Sequence, residues 1–408
     1  MKRNIVYAPA SKSYLQRAMA VALLTKGTTI LNNVTWCDDS LFVKNIISDL
    51  GAEIYEKDSQ VIIRSRGLHH IKNRSFSVGE SGLAFRLFSI ILALKEGEKQ
   101  LNGHGSLIHR PIEEVANTLK QLGVQTKTHN GFIPLTIYNK LAPGKVVLDG
   151  TYGSQLLSGL LISLPLAKGD SEILVNNLKS IPYVDMTLTV VRHFGIKIMQ
   201  ENYQHFLIKG NQSYHASEFN IEGDWSAAAF LLVLAALTGE IEVVNLLPDS
   251  LQADRKILEA LNKSGANISK TSNSIIVKKN LLNAFDFDAT HCPDLFPPLA
   301  ALASCCNGTT TIKGVSRLTY KESNRAKVIM EALGKIGVHV SIKNDTMHIK
   351  SGKFRKGIIH SHNDHRIAMM GAILATVSEN KVEVLGKSAV NKSYPHFFDT
   401  LKKINFVI

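Results

Sequence analysis

Hydrophobic residues recur along the chain in helix-length stretches that begin at nearly constant intervals. The six stretches begin at Ser11, Ser81, Ser154, Asp224, Asp294 and Asp364, which lie 70, 73, 70, 70 and 70 residues apart. A fixed period of this length is typical of proteins built from repeated supersecondary units. The stretches are apolar nearly all round, as in DWSAAAFLLVLAAL from Asp224, and this predicts six central, buried helices.

The segments that follow each apolar stretch also recur. A Gly or Asn turn leads to a strand-like run such as GEIEVVN, and then to a more polar helix such as ADRKILEALNKSGA with apolar residues at helical spacing. Alternating runs such as VHVSIKN close most units. The pattern therefore predicts a helix-strand-helix-strand-strand module of about 70 residues, which is too small to bury its apolar face alone.

Domain organisation follows from the repeat count and the length. Six modules could form one solenoid or two globular halves of three. A chain of 408 residues favours two or three domains at roughly 150 residues each. We therefore expect two halves of three modules, with the crossover near residues 210–224.

Composition excludes several classes of protein. With 45% hydrophobic and 20% charged residues, the chain is typical of globular proteins and unlike disordered or fibrous ones. Its cysteines predict neither a disulfide framework nor a CxxC zinc site, because they are few and irregularly spaced: Cys37, Cys292, Cys305 and Cys306. The longest apolar run, residues 225–237, is shorter than the roughly 20 residues that span a bilayer. We interpret the N-terminal stretch as mature protein rather than a signal peptide, and expect a cytoplasmic protein with no membrane partner.

Charge adds one constraint on the binding partner. Lys and Arg total 47 against 34 Asp and Glu, a formal net charge of +13. An excess of this size indicates an anionic partner, such as a phosphorylated metabolite, a nucleic acid or a membrane surface, unless it serves solubility alone. No run of five basic residues occurs, which argues against a nucleic-acid-binding tail.

The predicted buried helices share a chemical feature at their starts. Each start carries groups suited to bind an anion or move a proton: Lys12 with Ser13, Ser81 with Gly82, Ser154 with Gln155, Asp224, Asp294, and Asp364 with His365 and Arg366. Helix N-termini are anion sites because their first N–H groups are unpaired. For a single helix the plainer interpretation is an ordinary Ser or Asp N-cap. N-caps do not require Lys12, Arg17, Arg86 or Arg366, however, so converging helix starts predict a cleft for a multiply charged substrate.

Nine motifs, in order along nearly the whole chain, resemble those of the 5-enolpyruvylshikimate-3-phosphate synthase family. They are SKSYLQR, GESGLAFR, the RP of HRPIEE, SQLLSGLL, EGDWSAA, the PD at 293–294, KESNR, NDHRIAM and NKSYP. Each motif alone is weak, whereas nine in register are highly specific. The related UDP-N-acetylglucosamine enolpyruvyl transferases share the fold but use other motifs and usually a loop cysteine, and the four cysteines of this chain do not fall there.

The resemblance implies an α/β fold, a two-domain inside-out α/β prism of six βαβαββ repeats, three per domain. It implies a first domain at 11–221 and a second at 1–10 plus 222–408, with the active site in the cleft between them. The implied reaction transfers the enolpyruvyl group of phosphoenolpyruvate to the 5-hydroxyl of shikimate 3-phosphate and releases phosphate. This metal-free addition-elimination is the sixth step of the shikimate pathway to chorismate and the aromatic amino acids. We expect no cofactor, these two small-molecule partners, and a monomer.

Site residues follow from the resemblance position by position. The residues implied to bind shikimate 3-phosphate are Lys12, Ser13, Arg17, Ser154, Gln155, Ser180, Asp294 and Lys321. Those implied to bind phosphoenolpyruvate are Lys12, Gly82, Arg110, Gln155, Arg325, Arg366 and Lys392. Asp294 would take the proton from the 5-hydroxyl, while Glu322 or Lys12 would handle the proton at the methylene carbon. His365 would order Arg366.

Several positions depart from the family pattern. They are Gly153 for Ser, Glu80-Ser81-Gly82-Leu83 for Asn-Ala-Gly-Thr, Ser106 for Arg, Arg317 for Asn, Thr319 for Arg, and Asn324 for Asp. The implied acid, base and phosphoenolpyruvate arginines remain, so we expect the reaction to be retained. The departures bear on the affinity for each substrate and for the herbicide glyphosate, for which Gly82 leaves room.

One alternative is a metal-dependent hydrolase. His360, His362, Asp364 and His365 spell HxHxDH, which resembles the dinuclear zinc signature of metallo-β-lactamase-like enzymes. The motif lies in the sixth repeat rather than after an early strand, and His396 alone follows it as a later histidine. This position disfavours the metal interpretation.

A second alternative is a basic nucleic-acid-binding protein. Such proteins commonly interleave aromatic and basic residues on one strand face. Aromatic residues make up only 7% of the chain, and no such face is visible in the sequence. We therefore expect no nucleic-acid partner.

Overall fold

The computed structural model describes residues 4–68 and 73–406. The chain separates into two compact units. The first unit is Ala10–Ile221, and the second unit combines Met1–Pro9 with Glu222–Ile408. Residues 1–3 and 407–408 of the domain expected at 1–10 plus 222–408 lie outside the described residues, as do residues 69–72.

The chain forms strand β1 (Asn4–Tyr7) of the second unit and then enters the first unit. The helices of the first unit are α1 (Lys12–Leu24), α2 (Asp38–Asp49), α3 (Gly82–Leu92), α4 (Glu113–Gln121), α5 (Gln155–Ser163) and α6 (Pro182–His193). Its strands are β2 (Lys26–Asn32), β3 (Glu53–Lys57), β4 (Gln60–Arg66), β5 (Ser75–Ser77), β6 (Lys99–Asn102), β7 (Thr126–His129), β8 (Phe132–Ile137), β9 (Lys145–Asp149), β10 (Ser171–Asn176), β11 (Ile198–Glu201), β12 (His205–Ile208) and β13 (Glu218–Asn220).

Three four-stranded sheets surround the helices of the first unit. Two are built from consecutive strands, in the orders β5-β6-β8-β7 and β9-β10-β12-β11. The third has the order β13-β2-β4-β3, in which Phe219 pairs in parallel with Leu31. The last strand of the unit therefore completes the sheet of its first repeat, and the three repeats close on themselves.

The second unit repeats the same order of elements as far as its last helix. Its helices are α7 (Trp225–Thr238), α8 (Ile257–Ser264), α9 (Phe296–Cys305), α10 (Arg325–Lys335), α11 (His365–Val377) and α12 (Phe397–Lys403). Its remaining strands are β14 (Glu240–Val244), β15 (Asn267–Lys270), β16 (Ser274–Lys278), β17 (Asp286–Asp288), β18 (Thr309–Lys313), β19 (His339–Lys343), β20 (Thr346–Lys350), β21 (Gly357–His360) and β22 (Val382–Leu385). The sheet orders are β1-β14-β16-β15, β17-β18-β20-β19 and β21-β22.

The sixth repeat is shorter than the expected βαβαββ unit. After β22 the described chain enters a 3-10 turn, Lys387–Lys392, and then α12, so the sheet keeps only two strands. The buried residues that follow Pro395 are Phe397, Leu401 and Ile404, which have helical rather than alternating spacing. The expectation of six complete repeats is therefore corrected to five repeats with four-stranded sheets and one shortened repeat in the described residues.

The first helix of each repeat lies in the core of its unit, which confirms the prediction from hydrophobic spacing. In α7 every residue from Ala227 to Ala236 is at most 3% exposed. Helix α3 contacts α1 and α5 in the first unit, and α9 contacts α7 and α11 in the second. A helix that is apolar all round is stable only when neighbouring helices and sheets cover it. None of the helices within 4–68 and 73–406 is both long and apolar enough to cross a membrane.

Candidate active site

Four of the six buried helices begin with the N-caps that the plainer interpretation of their starts predicts. The side chains of Ser11, Ser81, Asp224 and Asp364 each accept a hydrogen bond from a backbone N–H of the first helical turn. Ser154 precedes α5 without such a bond. Asp294 is not a cap of α9, because it lies in a 3-10 turn, Pro293–Leu295, and α9 begins at Phe296.

The carboxylate of Asp294 is surrounded by cations instead. Its Oδ1 accepts a hydrogen bond of 2.6 Å from Nη1 of Arg325. Nη2 of Arg366 lies 3.2 Å from its Oδ2, and Nζ of Lys321 lies 3.4 Å from its Oδ1. The Asp294 side chain is 22% exposed, so this carboxylate remains accessible while paired.

Arg325 fixes the position of the cluster from its buried side. Its side chain is fully buried, and its Nε donates to Oδ2 of the equally buried Asp364 at 2.8 Å. Its Nη2 donates to Glu322. A buried charge is tolerated only when hydrogen-bonded partners compensate it, and Arg325 at the start of α10 has carboxylates on every nitrogen.

Electrostatics keeps Asp294 ionised. Burial alone would raise the pKa of Asp294, but the charges of Arg366, Lys321 and Arg325 hold that pKa well below its usual range. Burial lowers the pKa of Lys321, against the opposing charge of Asp294. Burial likewise lowers the pKa of Arg317, against the same opposing charge, so this departure from the family's Asn adds a cation to the field of Asp294.

Asp254 is a second carboxylate in this electrostatic network, and sequence reasoning missed it. It is 1% exposed and accepts a hydrogen bond from the hydroxyl of Ser226. Burial, reinforced by the charge of Asp294 and opposed by that of Arg366, raises the pKa of Asp254 to about 7. The pKa of Asp254 therefore lies near neutral pH, whereas the pKa of Asp294 is held below its usual range.

His365 and Arg366 begin α11, and Lys392, the last residue of the 3-10 turn Lys387–Lys392, contacts the segment just before it. Nζ of Lys392, a residue only 6% exposed, donates to the carbonyl oxygen of Asn363 at 2.6 Å. His365 is 1% exposed, and its Nδ1 lies 3.9 Å from Oδ1 of Asp364. The expected ordering of Arg366 by His365 stays a prediction.

The HxHxDH motif does not assemble as a metal site. Asp364 is engaged by Arg325, and the rings of His360 and His362 face one another with centroids 4.6 Å apart. Within residues 4–68 and 73–406, no three His, Cys, Asp or Glu side chains form a group that could hold a metal ion. The geometry does not favour the dinuclear zinc alternative.

In the first unit, Lys12 begins α1 and pairs with a second helix start. Its Nζ donates to Oδ2 of Asp39, in the first turn of α2, at 2.9 Å. The side chains are 16% and 11% exposed, so the pair remains open to solvent at one edge. Ser13 follows in the first turn of α1, where its carbonyl oxygen accepts a hydrogen bond from Arg17.

Arg17 is a buried cation with neutral partners. Its Nε donates to the hydroxyl of Thr187 at 2.8 Å, and its Nη2 donates to the hydroxyl of Ser158 at 3.2 Å. The carbonyl oxygens of Ser13 and Tyr183 accept from its other N–H groups. Burial lowers the pKa of Arg17 to about 10. This guanidinium is thus fixed in place, and no carboxylate among residues 4–68 and 73–406 pairs with it, which favours a bound anion nearby.

Gly82, Arg110 and Gln155 converge in the first unit. A Cβ added at Gly82 would lie 2.9 Å from Nη1 of Arg110 and 3.5 Å from Oε1 of Gln155. The same atom would lie 3.5 Å from Nη1 of Arg86, whose Nε donates to Glu114 at 2.8 Å. Glycine at this helix start therefore lets two guanidinium groups and an amide approach the N-terminus of α3.

Ser154 and Ser180 lie at neighbouring starts. Ser154 is 2% exposed, and its carbonyl oxygen accepts from the hydroxyl of Ser158 at 3.0 Å. Ser180 is 6% exposed and has a positive φ of 59° just before α6. Gly153 has φ 128°, a conformation that L residues rarely adopt, so the family's Ser at this position is replaced by a residue that this turn requires.

A nearly constant offset of 27–29 residues links these contacts. Side chains at the starts of the two helices of one repeat meet across 27 residues in Lys12–Asp39, 28 in Arg86–Glu114 and 28 in Ser226–Asp254. The same relation, at 29 residues, joins Ser158 to Thr187. Sequence reasoning missed Asp39, Asp254, Ser158 and Thr187. A search for polar residues 27–29 positions beyond a polar residue of the first helix could have found Asp39, Asp254 and Thr187.

The structure divides the expected site residues into two groups. The first unit holds Lys12, Ser13, Arg17, Gly82, Arg110, Ser154, Gln155 and Ser180. The second unit holds Asp294, Lys321, Glu322, Arg325, Arg366 and Lys392. Most of these residues lie in or just before the first turns of helices, whereas Arg110 and Lys392 lie at the ends of 3-10 turns.

Comparison with known proteins decides the family. Residues 3–401 match the family model described as EPSP synthase (3-phosphoshikimate 1-carboxyvinyltransferase). The chain belongs to the EPSP synthase family. Its relatives include a protein of Clostridium botulinum (strain Eklund 17B / Type B) named 3-phosphoshikimate 1-carboxyvinyltransferase, which is 35% identical over 98% of this chain and 94% of that protein.

Two further relatives of the EPSP synthase family extend this likeness. A protein of the same name from Haemophilus influenzae (strain PittEE) is 36% identical over 97% of this chain and 95% of that protein. A solved structure of EPSP synthase from Acinetobacter baumannii superposes with a TM-score of 0.83 at 25% identity, covering 99% of this chain and 96% of that one. The mixed α/β fold of the EPSP synthases is therefore the fold of this chain.

Proposed function

We propose that this chain transfers the enolpyruvyl group of phosphoenolpyruvate to the 5-hydroxyl of shikimate 3-phosphate and releases phosphate. This is the activity for which its curated relatives are named. The observation that carries the proposal is the carboxylate of Asp294, ionised and accessible, with Arg325, Arg366 and Lys321 around it. The cations keep this base ionised and can also offset the charges of two anionic substrates.

The charge of the substrates explains the basic residues. Phosphoenolpyruvate and shikimate 3-phosphate together carry two phosphates and two carboxylates, which repel one another when the molecules meet. Arginine binds carboxylate and phosphate through planar, paired N–H donors. We assign Arg110, Arg325, Arg366 and Lys392 to phosphoenolpyruvate, together with Gly82, Gln155 and Lys12.

Shikimate 3-phosphate takes the remaining residues. We assign it Ser13, Arg17, Ser154, Gln155, Ser180 and Lys321, with Lys12 and Asp294 at the reacting hydroxyl. Arg17 supports this assignment, because its buried charge has only neutral partners in the described chain and an anionic substrate would compensate it. The buried Ser154 and Ser180 would add neutral hydrogen bonds.

The reaction divides into an addition and an elimination. Asp294 takes the proton of the 5-hydroxyl while the hydroxyl oxygen bonds to C2 of phosphoenolpyruvate. Glu322 or Lys12 delivers a proton to the methylene carbon. In the tetrahedral intermediate, the group that donated this proton takes one back from the new methyl group as the C–O bond to phosphate breaks. Phosphate leaves and the carbon-carbon double bond is restored. One base and one acid, held apart, suffice for this sequence, and positioning with fixed charge lowers the rest of the barrier.

We further propose that the residues of both units act on the same substrate pair, as the expected domains at 11–221 and at 1–10 plus 222–408 require. Replacing Lys12 by Met tests this, because Lys12 belongs to the first unit and Asp294 to the second. Loss of turnover in both Lys12→Met and Asp294→Asn supports one shared reaction. Full turnover in Lys12→Met would remove the first unit's lysine from it.

The proposal includes a cytoplasmic monomer that needs no cofactor. Sedimentation of the purified chain checks the oligomeric state, and a mass near 44.9 kDa is expected. Fractionation of cells that express the natural gene checks the location. A stable larger assembly or a membrane-bound fraction would contradict these two parts without touching the chemistry.

Phosphate release from phosphoenolpyruvate, with and without shikimate 3-phosphate and in the presence of EDTA, tests the reaction itself. We expect release only with both substrates, at a rate that the chelator leaves unchanged, together with the enolpyruvyl product by mass spectrometry. Release that fails under every condition would show that the departures at Gly153, Leu83, Ser106, Arg317 and Thr319 have changed the substrate.

A further inference from the structure

Two departures from the family pattern contact each other in this chain. Glu80 stands where the family has Asn, and Ser106 stands where the family has Arg. Oε2 of Glu80 accepts a hydrogen bond of 2.7 Å from the backbone N–H of Ser106, across 26 residues of sequence. The contact is partly buried, and it joins the segment before α3 to the 3-10 turn Gly105–His109.

Ser106 also contacts Arg110. Nη2 of Arg110 donates to the hydroxyl of Ser106 at 3.1 Å. The backbone N–H of Arg110 donates to the carbonyl oxygen of Leu107, so Arg110 caps the same turn. Arg110 is 8% exposed. The carboxylate of Glu80 therefore holds the backbone of Ser106. The hydroxyl of Ser106 contacts the guanidinium of Arg110, and the backbone of Arg110 closes the turn.

The carboxylate of Glu80 occupies the space that a side chain at Gly105 would need. Gly105 has φ 57°, and a Cβ at this position would lie 2.2 Å from Cδ of Glu80. The backbone N–H of His104 also donates to the carbonyl oxygen of Gly79 at 3.0 Å. The segment that leads into α3 and the turn that ends at Arg110 are thus held side by side by both backbone and side-chain bonds.

We propose that Glu80 is a positioning residue that acts through the turn and hydroxyl of Ser106 to orient Arg110 for phosphoenolpyruvate. The inference rests on the proposed function, in which Arg110 binds that substrate. Arg110 has four side-chain torsions, and a free arginine loses their freedom when it binds an anion. A turn fixed by Glu80 removes that freedom before the substrate arrives, so its contribution appears in the binding of phosphoenolpyruvate.

The role predicts a specific pattern of kinetic change. Glu80→Ala removes the acceptor for the Ser106 N–H, and Ser106→Ala removes the acceptor for Arg110. Each is expected to raise the KM for phosphoenolpyruvate about tenfold, as loss of one well-placed hydrogen bond does. The KM for shikimate 3-phosphate and kcat should change less than about threefold. Glu80→Gln keeps an oxygen that can accept from the N–H and is expected to restore the KM for phosphoenolpyruvate.

A double variant and a matched control separate this role from general destabilisation. The double variant Glu80→Ala/Ser106→Ala should raise the KM by less than the product of the single effects, because both act on one guanidinium. Asp170→Ala is the control, since Oδ1 of the exposed Asp170 likewise accepts from a backbone N–H, that of Gly210, at 3.1 Å. It should leave the KM for phosphoenolpyruvate unchanged, whatever its effect on the melting temperature.

If the wild type turns over both substrates and Glu80→Ala has an unchanged KM for phosphoenolpyruvate, the inference about Glu80 is wrong and the proposed function stands. An equal rise of that KM in Glu80→Ala and Glu80→Gln would also overturn the inference, because a neutral acceptor would then not suffice. A wild-type chain that releases no phosphate would instead defeat the proposed function. The two failures are therefore distinguishable in one set of assays.

Discussion

Asp294 and Arg325 form an ion pair of 2.6 Å in which the cation is fully buried and the carboxylate is 22% exposed. The asymmetry gives the two residues different tasks. Arg325 is held by Asp364 and Glu322 as well, so it stays in place when Asp294 exchanges partners. Asp294 can meet a substrate hydroxyl while the surrounding cations keep it ionised.

Replacing Asp294 by Asn removes the proposed base and leaves the bonds of Arg325 to Asp364 and Glu322 intact. We expect turnover to fall by about 10²–10⁴-fold, the usual contribution of a positioned base or acid, while shikimate 3-phosphate still binds. Phosphate release and calorimetric titration measure the two effects. Asp288→Asn is the matched control, because Asp288 lies 3.8 Å from Lys313 on an exposed face of the same unit. Equal turnover in Asp294→Asn and the wild type would exclude Asp294 from the chemistry.

Arg325→Met tests the buried anchor through stability. The variant leaves Asp364, which is 0% exposed, without its cation. Removing one partner of a buried ion pair costs about 3–5 kcal/mol, and we expect the free energy of unfolding in urea to fall by about that amount. Lys335→Met is the control, since its pair with Glu331 is exposed on the same helix and is worth at most about 1 kcal/mol. Equal losses of unfolding free energy in the two variants would show that the buried charge of Asp364 does not depend on Arg325.

Asp254 predicts a pH dependence of stability. Its pKa of about 7 in the folded protein is raised above the ordinary value of 3.8, so the folded state holds this proton more tightly than the unfolded chain. The contribution of Asp254 to the free energy of unfolding is therefore fully present below the ordinary pKa and is lost as pH rises toward and through about 7. Urea unfolding between pH 5 and pH 8 measures it.

Asp254→Asn should flatten this decline relative to the wild type, since the amide does not titrate. The exposed Asp249→Asn serves as the control and should keep the wild-type slope. Groups that do not interact with Asp254 contribute equally to wild type and variants. Asp294 does interact with Asp254, but its pKa is held well below this pH range, so the difference between the two slopes isolates Asp254. An unchanged slope in Asp254→Asn would contradict the raised pKa.

Gly82→Ala should separate stability from substrate binding. Alanine favours a helix over glycine by up to about 1 kcal/mol. This gain offsets the steric cost of the added Cβ, so we expect the variant to fold. The added Cβ would lie 2.9 Å from Nη1 of Arg110 and must displace it. We expect the KM for phosphoenolpyruvate to rise by about tenfold, equivalent to about 1.4 kcal/mol, while the KM for shikimate 3-phosphate stays within about twofold.

Gly334→Ala provides the comparison for that variant. Gly334 lies in α10, and a Cβ there would have no neighbour within 4 Å. It should gain helix stability without any change in either KM. If Gly82→Ala behaved in the same way, Arg110 would have to move without consequence, and its assignment to phosphoenolpyruvate would be wrong.

Hydrophobic spacing predicted the repeats because it depends on burial, which is a property of single positions. The start of α9 shows the limit of that reasoning. Pro297 and Pro298 lack the N–H groups that would bond to the carbonyl oxygens of Pro293 and Asp294. The α-helix therefore begins at Phe296, and Asp294 is left in a 3-10 turn with its carboxylate free of capping.

Pairs of residues were harder to predict than single positions. Lys12 was found by its motif, whereas Asp39 was missed because their contact depends on how α1 and α2 pack within one repeat. The same holds for Asp254, which contacts Ser226 across the corresponding interval of the fourth repeat. Sequence reasoning ranked residue types at helix starts, but a contact also requires the angle between helices, which the spacing of apolar residues does not determine.

The pairing of β1 with β14 sets an order of events for a chain that is still being synthesised. Asn4 pairs with Ile241, so β1 emerges from the ribosome more than two hundred residues before its partner. At about 5–20 residues per second that interval lasts on the order of 10–50 s. The first unit, by contrast, contains its own closing strand β13 and can fold before β14 is synthesised. During that interval β1 has no partner strand, and its side chains Ile5 and Tyr7 lie beside an unpaired backbone edge. For this strand, early translation means late folding.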